Sequence, residues 1–213
     1  MNHFLYSLAQ FVCSHAISTF AQSEVYGLNN IPRNSGFILA ANHLSYIDPP
    51  AFGCYLKQKP YYFARESLFK PGLPRWLLMQ LKAIPARSTP GFSTSALKHS
   101  LKVLQSSEGL IFFPEGTRSA TGCLQKAKAG IGLIACKTQL PVIPSRIFGS
   151  DRFLGKAQVS FDLTRAIDIT FGKPLYPEDY DVKSENASNR YHKASTIIMQ
   201  AISDLKPFRP PSV

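Results

Sequence analysis

Short apolar runs, each followed by turn or polar residues, recur along the chain. Phe37-Ile38-Leu39-Ala40-Ala41 leads into Asn42-His43, and Ala83-Ile84-Pro85 into Ala86-Arg87. Leu110-Ile111-Phe112-Phe113 leads into Pro114-Glu115-Gly116, and Pro141-Val142-Ile143-Pro144 into Ser145-Arg146. Runs of this length without polar alternation suit strands buried on both faces, the habit of parallel sheets. Helical periodicity lies between them. Ser93–Ser107 carries Leu97, Leu101 and Leu104 on one face, and Ala127–Thr138 forms a second helix. Tyr191, Ala194, Ile198, Ala201 and Leu205 make an apolar stripe near the C-terminus, reinforced by Ile197 and Ile202. Val159, Phe161, Ile167, Ile169 and Phe171 within 158–174 predict two strands at a sheet edge. Strand–helix alternation predicts a single α/β domain, a mostly parallel sheet flanked by helices.

The N-terminal segment Phe4–Phe20 lacks Lys, Arg, Asp and Glu, and its polar members Ser7, Gln10, Ser14 and Ser18 fall on one stripe. This predicts a short amphipathic helix. Two placements fit it, packed on the domain or lying in a membrane interface. It is too short for an ordinary span and lacks the basic start of a signal peptide. The division expected is a membrane-associating helix over 1–22, a catalytic domain over 23–206 and a flexible Pro-rich tail over 207–213.

Charge sharpens the picture. The 213 residues carry 24 Lys/Arg against 13 Asp/Glu, a net charge of +11. Nine of those basic residues, against Glu66 alone, lie in 57–102. Such a field draws phosphate, nucleic acid or an anionic membrane surface. With 45% hydrophobic and 17% charged residues, wholesale disorder is excluded. Cys13, Cys54, Cys123 and Cys136 are scattered, so neither a zinc site nor a disulfide framework is indicated. Gly130-Ile131-Gly132-Leu133-Ile134-Ala135 matches a dinucleotide fingerprint, but Lys-Ala-Lys-Ala precedes it in place of a strand. Basic residues interleave with Tyr61, Tyr62, Phe63 and Phe69, yet no nucleic-acid module accompanies them, so no nucleic-acid partner is expected. A G-x-S-x-G elbow is missing, which removes the usual serine-hydrolase nucleophile.

Ligands of open α/β sheets bind outside the carboxyl ends of the strands. His43, Arg87 and the stretch from Glu115 to Arg118 all follow directly after predicted strands. In Asn42-His43-Leu44-Ser45-Tyr46-Ile47-Asp48, a carboxylate reaching the ring would hold the imidazole in one tautomer. The alternative for Asp48 is an N-cap, with Pro49 at the first helical position. In Phe113-Pro114-Glu115-Gly116-Thr117-Arg118-Ser119, Gly116 permits close backbone approach, Arg118 offers a bidentate fork, and Thr117 and Ser119 add hydroxyls. These suit an oxyanion; a plain turn with a solvated Arg118 is the other reading. Ser45 and Tyr46 have no evident role.

N-H-x4-D followed about 70 residues later by F-P-E-G-T-R-S resembles the glycerolipid acyltransferase family, the bacterial 1-acylglycerol-3-phosphate acyltransferases among them. The resemblance spans roughly residues 25–175. It includes the block ending in Arg87 and Pro141-Val142-Ile143-Pro144, which look like further family motifs in the family's order. Many bacterial members carry two apolar helices before the domain, where this sequence has one short helix. The resemblance implies a fatty acyl chain moved from acyl-CoA or acyl-carrier protein to a glycerol hydroxyl, at the cytoplasmic face of a membrane. His43 would be the general base and Asp48 its orienting partner, with Glu115, Gly116, Thr117, Arg118 and Arg87 on the glycerol phosphate. No metal or bound cofactor is implied. Two alternatives stay open: another acceptor for the same chemistry, and a non-catalytic lipid- or polyanion-binding module. Chemistry agrees with the enzyme. A hydroxyl attacking a thioester needs a base near pH 7, and the thiolate leaves well enough to dispense with an enzyme nucleophile.

Overall fold

The Phe37–Ala41 run becomes the fully buried centre of a sheet. The computed structural model describes residues 3–20, 23–86, 94–151 and 166–207. Its strands are β1 (Glu24–Tyr26), β2 (Phe37–Ala41), β3 (Tyr61–Arg65), β4 (Ala83–Ala86), β5 (Gly109–Phe112), β6 (Val142–Phe148) and β7 (Asp168–Phe171). They form one sheet in the order β1-β7-β6-β2-β5-β3-β4. Every neighbouring pair is parallel except β6 and β7. The helices are α1 (His3–Phe20), α2 (Asp48–Tyr55), α3 (Leu73–Gln80), α4 (Thr94–Gln105), α5 (Gly130–Thr138), α6 (Pro177–Tyr180) and α7 (Ala187–Asp204). The chain is a single α/β domain with a mostly parallel sheet, flanking helices and an N-terminal helix, as its patterning predicts.

Side chains of a strand alternate between faces, and β2 supplies both cores. Phe37, Leu39 and Ala41 pack with Ala51 and Phe52 of α2 and Ile17 of α1. Ile38 and Ala40 pack with Val103 and Leu104 of α4, Ile131 and Ile134 of α5, and Ala194 and Ile198 of α7. Gly132 of the dinucleotide-like fingerprint serves this second layer. A Cβ on Gly132 would lie 2.0 Å from the Tyr191 carbonyl oxygen, so α5 meets α7 there without a side chain between them. Gly132 N–H instead donates to Ser195 Oγ at 3.1 Å.

One expectation is corrected, and two segments take definite places. β7 is not the sheet edge: β1, a three-residue strand without a pattern of its own, pairs beyond it. The Val159 and Phe161 part of that expectation lies outside the described residues, as do 208–213 of the tail and Arg87. Tyr61–Arg65, noted in the sequence only for aromatics interleaved with basic residues, is a strand; it pairs with β5 and β4 and stays half-buried because one side faces a cavity. α1 packs on the domain, one of the two placements open to it, and Gln10 of its polar stripe turns inward. Gln10 Nε2 donates to the Gly53 and Leu56 carbonyls at 2.9 Å each, adding a side-chain donor where α2 ends. Tyr6 O–H donates to the Pro60 carbonyl at 3.2 Å. The outward side of α1 exposes four large apolar residues, Phe4, Leu8, Phe11 and Val12, beside the polar Ser7, His15 and Ser18.

Candidate active site

β2 and β5 are parallel neighbours, so the segments leaving their carboxyl ends emerge side by side. That topology brings two motifs about 70 residues apart in sequence into contact. His43 Nδ1 lies 2.8 Å from Asp48 Oδ2. The same oxygen accepts the N–H groups of Leu44 at 2.6 Å and Ser45 at 2.7 Å. Asp48 is fully buried. It opens α2 as a first-turn residue, with Ile47 at the boundary, and does not cap it. Its carboxylate turns back to close the 43–48 loop, which is how a five-residue spacing becomes a contact. A carboxylate accepts hydrogen bonds, so the Nδ1–H tautomer is the neutral ring form that satisfies this contact, with the lone pair on Nε2. The ring stacks on Phe113, centroids 4.1 Å apart.

The second motif holds the first by its backbone. Glu115 Oε1 accepts the His43 N–H at 2.9 Å and Oε2 the Gln125 N–H at 3.1 Å. Ser119 N–H donates to the His43 carbonyl at 2.8 Å, and its hydroxyl to the Cys123 carbonyl at 2.7 Å. Glu115 is 2% exposed and stands behind the cavity wall; burial pushes its carboxyl above the ordinary range, opposed by the two backbone donors. Asn42 pairs through both amide atoms with the main chain of Ile147 in β6.

A cavity of about 1060 Å³ opens beside the His–Asp pair. His43, Gly116, Thr117 and Arg118 line it, so four expected site residues converge there. Gly116 takes a φ of 68°, where a Cβ would meet Lys128 Nζ at 2.9 Å. Arg118 is buried, and its Nη1 has no hydrogen-bond partner among the described residues. The walls also hold Arg65 from β3 and Lys128 ahead of α5, two cations that spacing alone does not single out. Their only signal in the sequence was basic character in segments that otherwise read as surface. Apart from Gln10 and Ser67, the remainder is largely apolar, with Tyr6, Ala9 and Cys13 of α1, Gly53 and Cys54 of α2, Tyr62 and Phe63 of β3, and Leu78 of α3. Burial pushes the Cys54 thiol up to about 12 and raises that of Cys13. Both are protonated thiols at neutral pH, and the thiol form is a poor nucleophile.

A histidine–aspartate pair at the carboxyl edge of a parallel sheet, beside a mostly apolar cavity with cations at one side, is chemically suited to general-base work on an amphiphilic anion. The family model described as acyltransferase matches residues 22–148, and the chain belongs to that family. Over 197 residues it is 24% identical to the chloroplastic 1-acyl-sn-glycerol-3-phosphate acyltransferase BAT2 of Brassica napus, covering 92% of this chain and 57% of that protein. Over 159 residues it is 29% identical to the 1-acyl-sn-glycerol-3-phosphate acyltransferase of Bacillus subtilis, covering 74% and 75%. The chain thus spans little more than half the length of the plant relative. Its fold is that of the 1-acyl-sn-glycerophosphate acyltransferase PlsC from Thermotoga maritima, with a TM-score of 0.75 at 24% identity over 93% of this chain and 78% of that one.

Proposed function

We propose that the protein transfers a fatty acyl group from an acyl thioester, acyl-CoA or acyl-carrier protein, to the free hydroxyl of 1-acylglycerol-3-phosphate, giving phosphatidic acid for phospholipid synthesis. The observation that carries this reading is the 2.8 Å His43–Asp48 contact on a cavity that is apolar along α1, α2 and β3 and cationic at Arg65, Arg118 and Lys128. The named relatives point to the same acceptor. His43 Nε2 takes the proton of the glycerol hydroxyl as its oxygen forms a bond to the thioester carbonyl carbon. Asp48 stabilises the imidazolium. Collapse of the tetrahedral intermediate breaks the C–S bond, and the proton on His43 passes to the leaving thiolate. Protonated Cys13 and Cys54 offer no competing nucleophile, which favours direct transfer without an acyl-enzyme. The buried guanidinium of Arg118 receives the acceptor phosphate, with Arg65 and Lys128 adding positive potential. Gly116 and Thr117 line the same wall, and Arg87 is assigned to the phosphate by its motif.

The test is release of thiol from acyl-CoA or acyl-carrier protein with and without 1-acylglycerol-3-phosphate. Release that depends on this acceptor supports the reading. Release with a phosphate-free lysolipid and not with this one overturns the acceptor. Release indifferent to any acceptor, or none with either donor, removes acyl transfer itself.

The same proposal places the protein peripherally at the cytoplasmic face of an anionic membrane. Among the described residues no helix is long and apolar enough to cross one. α1 exposes Phe4, Leu8, Phe11 and Val12, and α3 exposes Leu73, Trp76, Leu77 and Met79. Both helices contribute to the cavity wall, and Lys70 and Arg75 lie exposed at α3. Apolar side chains flanked by cations match an anionic lipid interface. Replacing Trp76 and Leu77 by Ser is expected to weaken binding to vesicles of phosphatidylglycerol by about tenfold or more. Turnover of short-chain, water-soluble substrates should be unchanged. Equal sedimentation of variant and parent would remove α3 from the membrane surface.

A further inference from the structure

We infer that Tyr46 is a positioning residue for Arg118, setting the guanidinium that receives the acceptor phosphate. The inference deepens the proposed function and rests on its assignment of that phosphate to Arg118. Ser45 and Tyr46 sit inside the first motif, and the base chemistry of His43 and Asp48 uses neither side chain. The structure gives Tyr46 a partner in the other motif. The guanidinium carbon of Arg118 lies 3.4 Å from the centroid of the Tyr46 ring, a stacked cation–π contact. Tyr46 is nevertheless 58% exposed, so its position is not explained by core packing. Arg118 is 7% exposed, with Nη1 buried and unpartnered. Both residues line the cavity.

The physical consequence is twofold. Stacking fixes the plane in which the five N–H donors of an arginine fan out, so less conformational freedom is lost when an oxyanion binds. The ring also covers one face of the cation, and a cation shielded from water acts on a phosphate with less screening. Tyr46 is itself held by the turn that holds His43. Asp48 N–H donates to the Ser45 carbonyl at 3.3 Å, and Asp48 Oδ2 accepts the N–H groups on either side of the Leu44–Ser45 peptide. One buried carboxylate therefore sets the imidazole directly and the guanidinium through Tyr46. The base and the phosphate anchor are held in register by a single turn.

The test compares Tyr46→Ala, Tyr46→Phe, Arg118→Ala and the Tyr46→Ala/Arg118→Ala double variant in two measurements. In acyl-transfer kinetics, Tyr46→Ala should raise KM for 1-acylglycerol-3-phosphate about tenfold. Its kcat should stay within about twofold of the parent, because lost ground-state binding appears in KM. Tyr46→Phe keeps the ring and should behave as the parent. In the Arg118→Ala background Tyr46→Ala should add nothing, since it acts through that side chain. An unchanged KM, a fall confined to kcat, equal damage from Phe and Ala, or additive effects with Arg118→Ala would each overturn the inference. Calorimetric titration with glycerol-3-phosphate reads the anion site without turnover. Weaker binding by both Tyr46→Ala and Arg118→Ala in a protein that does not acylate lysophosphatidate would sustain the positioning role while the proposed function failed. Unaltered binding by Tyr46→Ala would end it even in an active enzyme.

Discussion

Replacing His43 with alanine is expected to lower kcat for acyl transfer by about 10³-fold, with KM for both substrates changed little. Among the described residues lining the cavity, His43 is the only imidazole, and its Nδ1 contacts a buried carboxylate, so a large loss is expected when it is removed. Asp48→Asn should fall by about 10²-fold or more. An amide in place of Asp48 can still accept from the backbone through its oxygen. It cannot accept three donors and neutralise the imidazolium as the carboxylate does at Oδ2. Steady-state thiol release with saturating acceptor measures both variants. His43→Ala at more than a tenth of the parent kcat would mean that another group is the base. Melting temperature is measured beside kcat, because the His43 ring also stacks on Phe113 and pairs with the buried Asp48.

Glu115→Ala is expected to lower kcat by about 10²-fold while moving the acceptor KM little. This outcome separates two roles for the residue. A carboxylate that binds the glycerol phosphate region would register in KM. A carboxylate 2% exposed, with both oxygens on backbone N–H groups, fixes where His43 stands. Its loss strands two N–H groups in a buried loop, each worth about 1–3 kcal/mol when left unmade. The melting temperature should therefore drop together with kcat. Glu115→Gln should recover part of both, since an amide oxygen serves one N–H and its amino group opposes the other. A variant with parent kcat and a raised KM would return Glu115 to the substrate.

How far each feature could be read along the chain follows from what its neighbours are. β2 and β5 announce themselves because they are covered on both faces, and a strand covered on both faces is apolar at every position. β3 does not. One of its flanks is a cavity wall, so Tyr62, Phe63 and Arg65 line a ligand space, with Tyr62 and Phe63 at the margins of the two cores. β1 is three residues long and has a partner on one side only. α1 was legible as a helix, but its outward face was not, because Gln10 satisfies the backbone of α2 and so turns a polar position inward.

The chemistry divides in the same way. Residue order alone contains the strand–turn pattern, the N-H-x4-D and F-P-E-G-T-R-S motifs and the excess of positive charge, since each is local in sequence or a sum over it. Contact between His43 and Asp48 depends on a loop closed by hydrogen bonds to one carboxylate oxygen. Glu115 behind the wall, Tyr46 stacked on Arg118, and Arg65 and Lys128 facing the same space are settled by the parallel pairing of β2, β5 and β3. Partners for a buried carboxylate or a guanidinium face are chosen by burial and geometry across distant segments, and neither quantity exists until the sheet has formed.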